Sequence, residues 1–171
     1  MRVDDLLPVV YDELRRLAKA YLKDEGGYQT LEPTALVHEA YVRLSKRTGI
    51  AWRGKTHFLA IAASEMRRVL VERARAKNTI KRGARPPRIT LSDELIAGRD
   101  RPLEILALDE ALRHLSERSP RQARVAEMRL FAEMRAIEIG ESLGVSERTV
   151  KDDWRMARAW LARSLRQGEA S

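Results

Sequence analysis

The sequence contains no cysteine, few aromatic residues and no long apolar run. The absence of cysteine excludes disulfides and thiolate metal sites. The three histidines, His38, His57 and His114, are scattered along the chain and do not favour a metal site. Charged residues interrupt the first twenty positions, so neither a signal peptide nor a membrane-spanning helix is predicted there. We therefore expect a cytoplasmic protein with no membrane insertion, no cofactor and no metal.

Alanine, leucine, arginine and glutamate, all good helix formers, dominate the composition. The β-branched residues do not cluster in alternating runs, so strands are not predicted. Apolar residues instead recur three or four positions apart, for example at Leu6, Val10, Leu14 and Leu17. These features predict an all-α fold.

The positive charge is concentrated in one part of the chain. The formal net charge is +8, but residues 1–90 hold 19 Lys and Arg against 10 Asp and Glu, whereas residues 91–171 hold 14 against 15. From Arg67 to Arg88 there are nine basic residues and a single acid, Glu72. This excess is too one-sided for neighbouring pairs on a helix to neutralise it. Because such a field attracts phosphates, we expect the first half to bind a polyanion such as nucleic acid.

The clearest motif occupies residues 135–165. A short amphipathic segment is followed by Gly144, which adopts a positive φ without steric cost, and by Ser146, a favourable N-cap for a second helix. This order is typical of a helix-turn-helix. The second helix has an apolar stripe and an arginine-rich front, which suits the major groove of DNA. Arg148, Lys151 and Arg155 lie on this front.

Proline and glycine divide the chain into two small helical domains. The segment 83–102, which contains three prolines and two glycines, is predicted to be a flexible interdomain linker. Residues 1–82 then form the first domain, and residues 103–171 form the second, which ends in the helix-turn-helix. Helix starts are predicted with N-caps at Thr34 and Thr56, at Pro102, and with a capping box at Ser119.

Three stretches of the chain show a family resemblance in their order and spacing. They are TALVHEAYVRL, AWRGKTHFLAIAASEMRRVLVERAR and SPRQARVAEMRLFAEMRAIEIGESLGVSERTVKDDWRMARAWLARSL. They resemble, in turn, the core-binding helix of the second region, the promoter-melting stretch of that region, and the fourth region of RNA polymerase sigma factors. The resemblance is to the extracytoplasmic-function class and extends from about Leu6 to Leu165.

This resemblance implies a bacterial sigma factor, not an enzyme. Such a protein binds core RNA polymerase, recognises two promoter elements and helps to melt the DNA. Its implied partners are core polymerase, promoter DNA in double-stranded and melted form, and an anti-sigma factor. The implied polymerase-binding residues are Leu36, Val37, His38, Glu39 and Val42. The residues implied in contact with the upstream promoter element as duplex are Ser146, Arg148, Thr149, Lys151 and Arg155. The residues implied in melting and in holding phosphates are Trp52, Arg53, Arg67, Arg68, Arg73 and Arg75. For Trp52, a place in the core is equally open.

The sequence also departs from the family pattern at two places. Leu31-Glu32-Pro33-Thr34 replaces the acidic pair that is usual before the core-binding helix, and His38 replaces the usual glutamine. In the second helix of the helix-turn-helix, Asp152 and Asp153 occupy positions where small and basic residues are common. Carboxylates near phosphates weaken DNA binding unless the carboxylates are paired with cations. We therefore expect Asp152 and Asp153 to keep the DNA affinity of this domain modest, with Arg148 or Arg155 as their pairing partners.

Three alternatives remain open from the residues alone. A stand-alone helix-turn-helix regulator would bind DNA without polymerase, but it normally dimerises to span two half-sites, and no dimerisation heptads are present. A small hydrolase or metalloenzyme would use His38, Glu39 and His57, but the second histidine needed on the same helix face for a zinc site is missing. A bundle serving only protein interaction leaves the basic run without a purpose.

Overall fold

The computed structural model describes residues 3–22, 31–80, 88–89 and 103–168. Most of these residues are helical, which confirms the all-α prediction. The helices are α1 (Val3–Leu22), α2 (Pro33–Ser45), α3 (Lys55–Ile80), α4 (Ile105–Arg118), α5 (Pro120–Phe131), α6 (Ala136–Leu143) and α7 (Glu147–Gly168). Two short strands, β1 (Arg88–Ile89) and β2 (Leu103–Glu104), pair antiparallel, with Arg88 opposite Glu104.

Helices α1, α2 and α3 pack together; we call residues 3–80 the N-terminal half. The apolar residues of α1 form its buried face, as their spacing predicts: Leu14 is 2% exposed and Leu17 is fully buried. Phe58 of α3 lies at 0% exposure in the same core. Burying an aliphatic or aromatic side chain of this size stabilises the fold by roughly 1.5–3 kcal/mol, so the positions of all three helices are fixed by one shared core.

Helices α4 to α7 form a second group, residues 103–168, which we call the C-terminal half. Helix α5 packs against both α4 and α7, and α6 packs against α7. Leu108 of α4, Val125 of α5, and Val150 and Leu161 of α7 are fully buried between them. The long helix α7 therefore has one face held in a core, and its opposite face is left for contacts outside the bundle.

Two predicted N-caps in the N-terminal half are wrong. Helix α2 begins at Pro33, and Glu32 takes the N-cap position, so Thr34 lies inside the first turn. A proline suits the first helical position because the N–H that it lacks has no partner there in any helix. Helix α3 begins at Lys55, which places Thr56 inside that helix as well.

Two predicted helix starts in the C-terminal half also differ from the structure. Helix α4 begins at Ile105 and not at Pro102, because the two residues before Ile105 pair with β1. Ser119 is the N-cap residue of α5, but its side chain makes no capping hydrogen bond. A capping interaction occurs instead at α6, where the Arg135 N–H donates to Glu138 Oε2 at 2.7 Å.

The predicted linker, residues 83–102, lies outside the described residues except for residues 88–89. The linker and the domain boundaries at 1–82 and 103–171 therefore stay predictions. The two halves are in contact in the structure, because α3 packs against α4 and α5 and approaches α6.

Candidate DNA and polymerase interfaces

The turn between α6 and α7 has the local geometry that the sequence predicts. Gly144 adopts a left-handed conformation, with φ of 69°. The Val145 N–H donates to the Gly140 carbonyl at 3.0 Å, which closes the end of α6. Ser146 caps α7, since its Oγ accepts the Thr149 N–H at 3.1 Å. The predictions for Gly144 and Ser146 are thus confirmed, and the angle between α6 and α7 is set by short backbone contacts.

Gly140 has a structural role that the sequence analysis missed. A Cβ atom at this position would lie 2.7 Å from the Val145 carbonyl oxygen, closer than side-chain carbons come to backbone atoms. Only glycine lets α6 approach the turn this closely. A glycine inside a helical pattern, four residues before the glycine that ends the helix, is the sequence signal for such an approach.

The face of α7 that points away from the core presents cations to solvent. Arg148, Lys151 and Arg155 are all exposed. Lys151 pairs with Glu147 at 2.6 Å and Arg155 with Asp152 at 3.0 Å, in both cases within the same helix. Pairs between exposed side chains contribute little to stability, so these cations can exchange a carboxylate for a phosphate or a base edge at little cost.

Asp153 does not belong to this face. Its side chain is 7% exposed and accepts two hydrogen bonds from Arg121 of α5, from Nε at 2.6 Å and from Nη2 at 3.2 Å. This contact raises the pKa of Arg121. The expectation that both Asp152 and Asp153 lie near DNA is therefore wrong for Asp153, which links α5 to α7. Trp154 is partly buried against the core, with Arg129 Cζ 5.7 Å from its ring centroid.

Helix α2, the predicted polymerase-binding helix, has a buried and an open face. Leu36 and Val37 are 0% and 1% exposed and belong to the core of the N-terminal half. They are not available to a partner while α2 is folded, because helix periodicity turns these two positions toward α1 and α3. His38 is exposed, Glu39 is partly exposed and Val42 is 45% exposed. The open face of α2 therefore presents these last three.

Glu39 connects α2 to α3 through two arginines. It accepts hydrogen bonds from Arg43 at 2.9 Å and from Arg73 of α3 at 3.1 Å. Arg43 also donates to both carboxylate oxygens of Glu72, and this hydrogen bonding holds the pKa of Glu72 below its usual value. The sequence assigns Glu39 to polymerase and Arg73 to DNA, whereas the structure makes them direct partners.

The irregular segment between α2 and α3 holds Trp52 at the edge of the core. The indole is partly buried and contacts the Phe58 ring edge-on, with 5.0 Å between centroids. Arg53 is exposed, and its N–H donates to His57 Nδ1 at 3.4 Å. Burial lowers the pKa of His57, and the positive charges of Arg53 and of Arg124 from α5 lower it further. Trp52 is thus packed on one side and open to solvent on another.

The remaining predicted DNA contacts on α3 differ strongly in exposure. Arg68 is 48% exposed and pairs with Glu65 within its own helix. Arg75 is 65% exposed and pairs with Asp109 of α4 at 3.2 Å. Arg67 is only 10% exposed and pairs with both Asp109 and Glu127, which belong to the C-terminal half. The structure therefore leaves Arg68 open, whereas both terminal nitrogens of Arg67 are paired with carboxylates.

In the part of the chain that the structure describes, no three His, Asp or Glu side chains come together as metal ligands. No helix among those residues is long and apolar enough to cross a membrane.

A helical bundle that ends in a helix, a tight turn and a cation-bearing helix is typical of helical DNA-binding proteins. More specifically, the chain belongs to the ECF sigma factors, because the sequence profile of that family matches residues 1–167. No curated protein and no solved structure matches the chain significantly. ECF sigma factors bind core RNA polymerase, promoter DNA and anti-sigma factors, and they serve transcription initiation, not catalysis of their own.

Proposed function

We propose that this ECF sigma factor directs core RNA polymerase to promoters made of two elements. Helix α7 recognises the upstream element as duplex, and the N-terminal half melts the start-proximal element and holds it. The protein acts in the cytoplasm. The observation that supports this most is the cation-bearing face of α7, which is held by a core on one side and by a capped turn at its start.

Arg148, Lys151 and Arg155 contact the bases and phosphates of the upstream element. Their side chains extend from the first turns of α7, where a recognition helix enters the major groove. Ser146 uses its hydroxyl as the helix cap, and Thr149 Oγ1 lies 2.9 Å from it. These two residues therefore fix the helix terminus, whose free N–H groups suit a phosphate.

In the start-proximal element, the open side of Trp52 stacks on a base that has left the duplex. Stacking on an aromatic side chain contributes roughly 1–3 kcal/mol per base, which offsets the few kcal/mol that unstacking costs. Arg53 and Arg68 are exposed and contact the neighbouring phosphates, with Arg73 and Arg75 beside them on α3.

Core polymerase docks on the open face of α2 through His38, Glu39 and Val42. Replacing Glu39 by lysine reverses the charge of this face, and we expect binding to core polymerase to weaken at least about tenfold, which is about 1.4 kcal/mol. Because Glu39 also pairs with Arg43 and Arg73, Glu39→Gln is measured as well, since it removes the charge but keeps the side-chain shape.

The control for the charge reversal is Glu117→Lys, which makes the same change at an exposed position of α4. It should bind core polymerase like the unaltered protein. Equal binding by Glu39→Lys and the unaltered protein would remove the docking assignment.

The decisive experiment is reconstitution with bacterial core polymerase, followed by sequencing of the transcript starts. Specific initiation at a common pair of sequence elements is expected. Absence of specific initiation would contradict the proposal. Tight specific duplex binding by a dimer without polymerase would instead favour a stand-alone helix-turn-helix regulator.

A further inference from the structure

Glu65 of α3 is a buried carboxylate that holds two arginines from different elements. It is one of three charged residues that are buried in the described part of the chain, with an exposure of 3%. Its Oε1 lies 2.6 Å from Arg47 Nη2 and accepts a hydrogen bond from Arg68 Nη1 at 2.7 Å. Arg47 lies two residues beyond the end of α2 and has no role assigned from the sequence. Glu65 therefore ties the segment that follows α2 to an arginine of α3.

This shared carboxylate brings two positive charges together. Both guanidiniums approach the same oxygen atom of Glu65, so their nitrogens lie close to each other. Two cations in such a position repel unless an anion lies between them. Glu65 supplies one negative charge against the two positive charges of Arg47 and Arg68, so the cluster keeps an excess of positive charge.

The two arginines remain open to a ligand, although Glu65 does not. The side chains of Arg47 and Arg68 are 41% and 48% exposed. Among the residues that the structure describes, neither arginine pairs with a second carboxylate. A guanidinium carries several N–H donors in a fixed plane, and Glu65 engages one nitrogen of each. The other donors suit an anion with several acceptor oxygens, such as a phosphate.

The arginine pair lies on the side of α3 that also supports Trp52. Phe58 contacts the Trp52 ring, and Glu65 follows Phe58 two turns later on the same helix face. Two turns of an α-helix rise about 11 Å. Arg47 also belongs to the irregular segment that carries Trp52. A strand with one base stacked on Trp52 therefore places neighbouring phosphates within reach of this pair.

We infer that Glu65 is a positioning residue, which fixes Arg47 and Arg68 side by side as a clamp for phosphates of the melted strand. The inference rests on the proposed role of Trp52 and α3 in holding that strand. Stability alone does not require a carboxylate here, because replacing buried ion pairs by uncharged groups is often neutral or stabilising. A pair of arginines that is already ordered loses less side-chain freedom when it binds a strand.

The sign of one substitution distinguishes positioning from the effect of charge alone. Glu65→Gln removes a negative charge beside the proposed DNA surface, which by electrostatics alone should tighten DNA binding. Positioning predicts the opposite change. We expect polymerase reconstituted with Glu65→Gln to bind a short fluorescent single-stranded DNA, which carries the start-proximal element, about tenfold more weakly than polymerase with the unaltered protein, because two arginine side chains must then be ordered on binding.

The matched control is Glu72→Gln, which makes the same change at an exposed carboxylate of the same helix. The partner of Glu72 is Arg43, which is not among the proposed DNA contacts. Polymerase with Glu72→Gln should bind the single-stranded DNA at least as tightly as polymerase with the unaltered protein. Equal affinities of the two variants, or tighter binding by Glu65→Gln, would overturn the inference.

A second measurement separates positioning from a purely structural role. In the background Arg47→Ala/Arg68→Ala, Glu65→Gln should cause no further loss of affinity for the single-stranded DNA, because the side chains that Glu65 positions are absent. Binding of a duplex that carries only the upstream element should be unchanged in Glu65→Gln, since α7 makes that contact. An equal loss in both backgrounds, or an equal loss for the duplex, would show a structural role and overturn the inference.

The phosphate contact of Arg47 has a test of its own. Arg47→Ala should reduce the slope of the logarithm of single-stranded DNA affinity against the logarithm of salt concentration by about 0.7, the value of one phosphate contact. Arg113→Ala removes an exposed arginine of α4 and should leave the slope unchanged. A slope unaffected by Arg47→Ala would overturn the inference.

Failure of the inference is distinguishable from failure of the proposed function. If reconstituted polymerase initiates specifically but Glu65→Gln behaves like Glu72→Gln, the inference is wrong and the function stands. If polymerase with the unaltered protein does not initiate specifically, the proposed function is wrong, and the positioning role of Glu65 falls with it.

Discussion

The arginine-bearing surfaces of α3 and α7 differ in what already occupies their cations. On α7, Arg155 is 72% exposed and pairs only with Asp152 one turn away. On α3, Arg67 is 10% exposed and pairs with two carboxylates of the other half. Arg67 is therefore less accessible than Arg155, although it belongs to the half with the larger positive charge.

This difference separates the amount of charge from its availability. The sequence places the excess of cations in the first ninety residues, and that excess predicts a polyanionic partner correctly for a sigma factor. The structure shows that part of the excess is balanced by carboxylates of the C-terminal half. On α7, Lys151 and Arg155 pair within their own helix, whereas Arg67 of α3 pairs with carboxylates of the other half.

The largest expected effect would break the comparison at α7. Gly140→Ala places a Cβ 2.7 Å from the Val145 carbonyl oxygen, so α6 or the turn must shift. We expect a loss of about 1–3 kcal/mol in the free energy of unfolding of the protein, as for other overpacked sites. Urea denaturation measures it. Gly168→Ala is the control, because nothing lies within 4 Å of a Cβ there, and equal stability of the two variants would contradict the close approach.

The next effect tests the open surface directly. Arg148→Ala should weaken binding of the polymerase complex to its own promoter duplex by about 1–3 kcal/mol if the guanidinium contacts a base, and relax preference at one base pair. Arg113→Ala removes an exposed arginine of α4 that pairs with Glu117 and should leave promoter binding unchanged. Equal affinities of the two variants would show that α7 does not enter the groove at Arg148.

The features of α7 that the sequence predicts are local ones. Gly144 and Ser146 were identified because a positive φ and a helix cap depend on the few residues around them. Asp153 and Gly140 were missed because their roles depend on other helices and turns, on Arg121 of α5 and on the Val145 carbonyl. An aspartate beside an exposed face has the same sequence appearance whether it faces solvent or is buried against an arginine of another helix.

The position of Arg67 could not be predicted either, because it depends on residues that are even more remote in sequence. Its partners Asp109 and Glu127 are 42 and 60 residues away in sequence. Helical periodicity states which face of α3 is apolar, but it does not state which remote carboxylates meet that face. The sequence also leaves open whether Trp52 is a core residue or a stacking platform. The structure places it at the edge of the core, partly buried against Phe58.

A smaller effect sharpens the comparison on α3. Arg68 is exposed and pairs within its own helix, so its guanidinium is accessible to DNA while the two halves are in contact. Arg68→Ala should reduce the slope of the logarithm of single-stranded DNA affinity against the logarithm of salt concentration by about 0.7, the value of one phosphate contact. Arg113→Ala should leave the slope unchanged. A slope unaffected by Arg68→Ala would remove this arginine from the proposed DNA surface.

The smallest expected effect concerns pH and tests whether the halves lie together in solution. His57 has a pKa below its usual 6.5, because burial, Arg53 and Arg124 of the other half disfavour its charged form. The unfolded chain therefore binds a proton that the folded one does not, and the free energy of unfolding should fall as the pH drops below about 6.5. His57→Gln should remove this part of the pH dependence in urea denaturation. Arg124→Ala should reduce it, because Arg124 belongs to the other half and its charge acts on His57 while the halves are in contact, and an unchanged dependence in Arg124→Ala would contradict that contact.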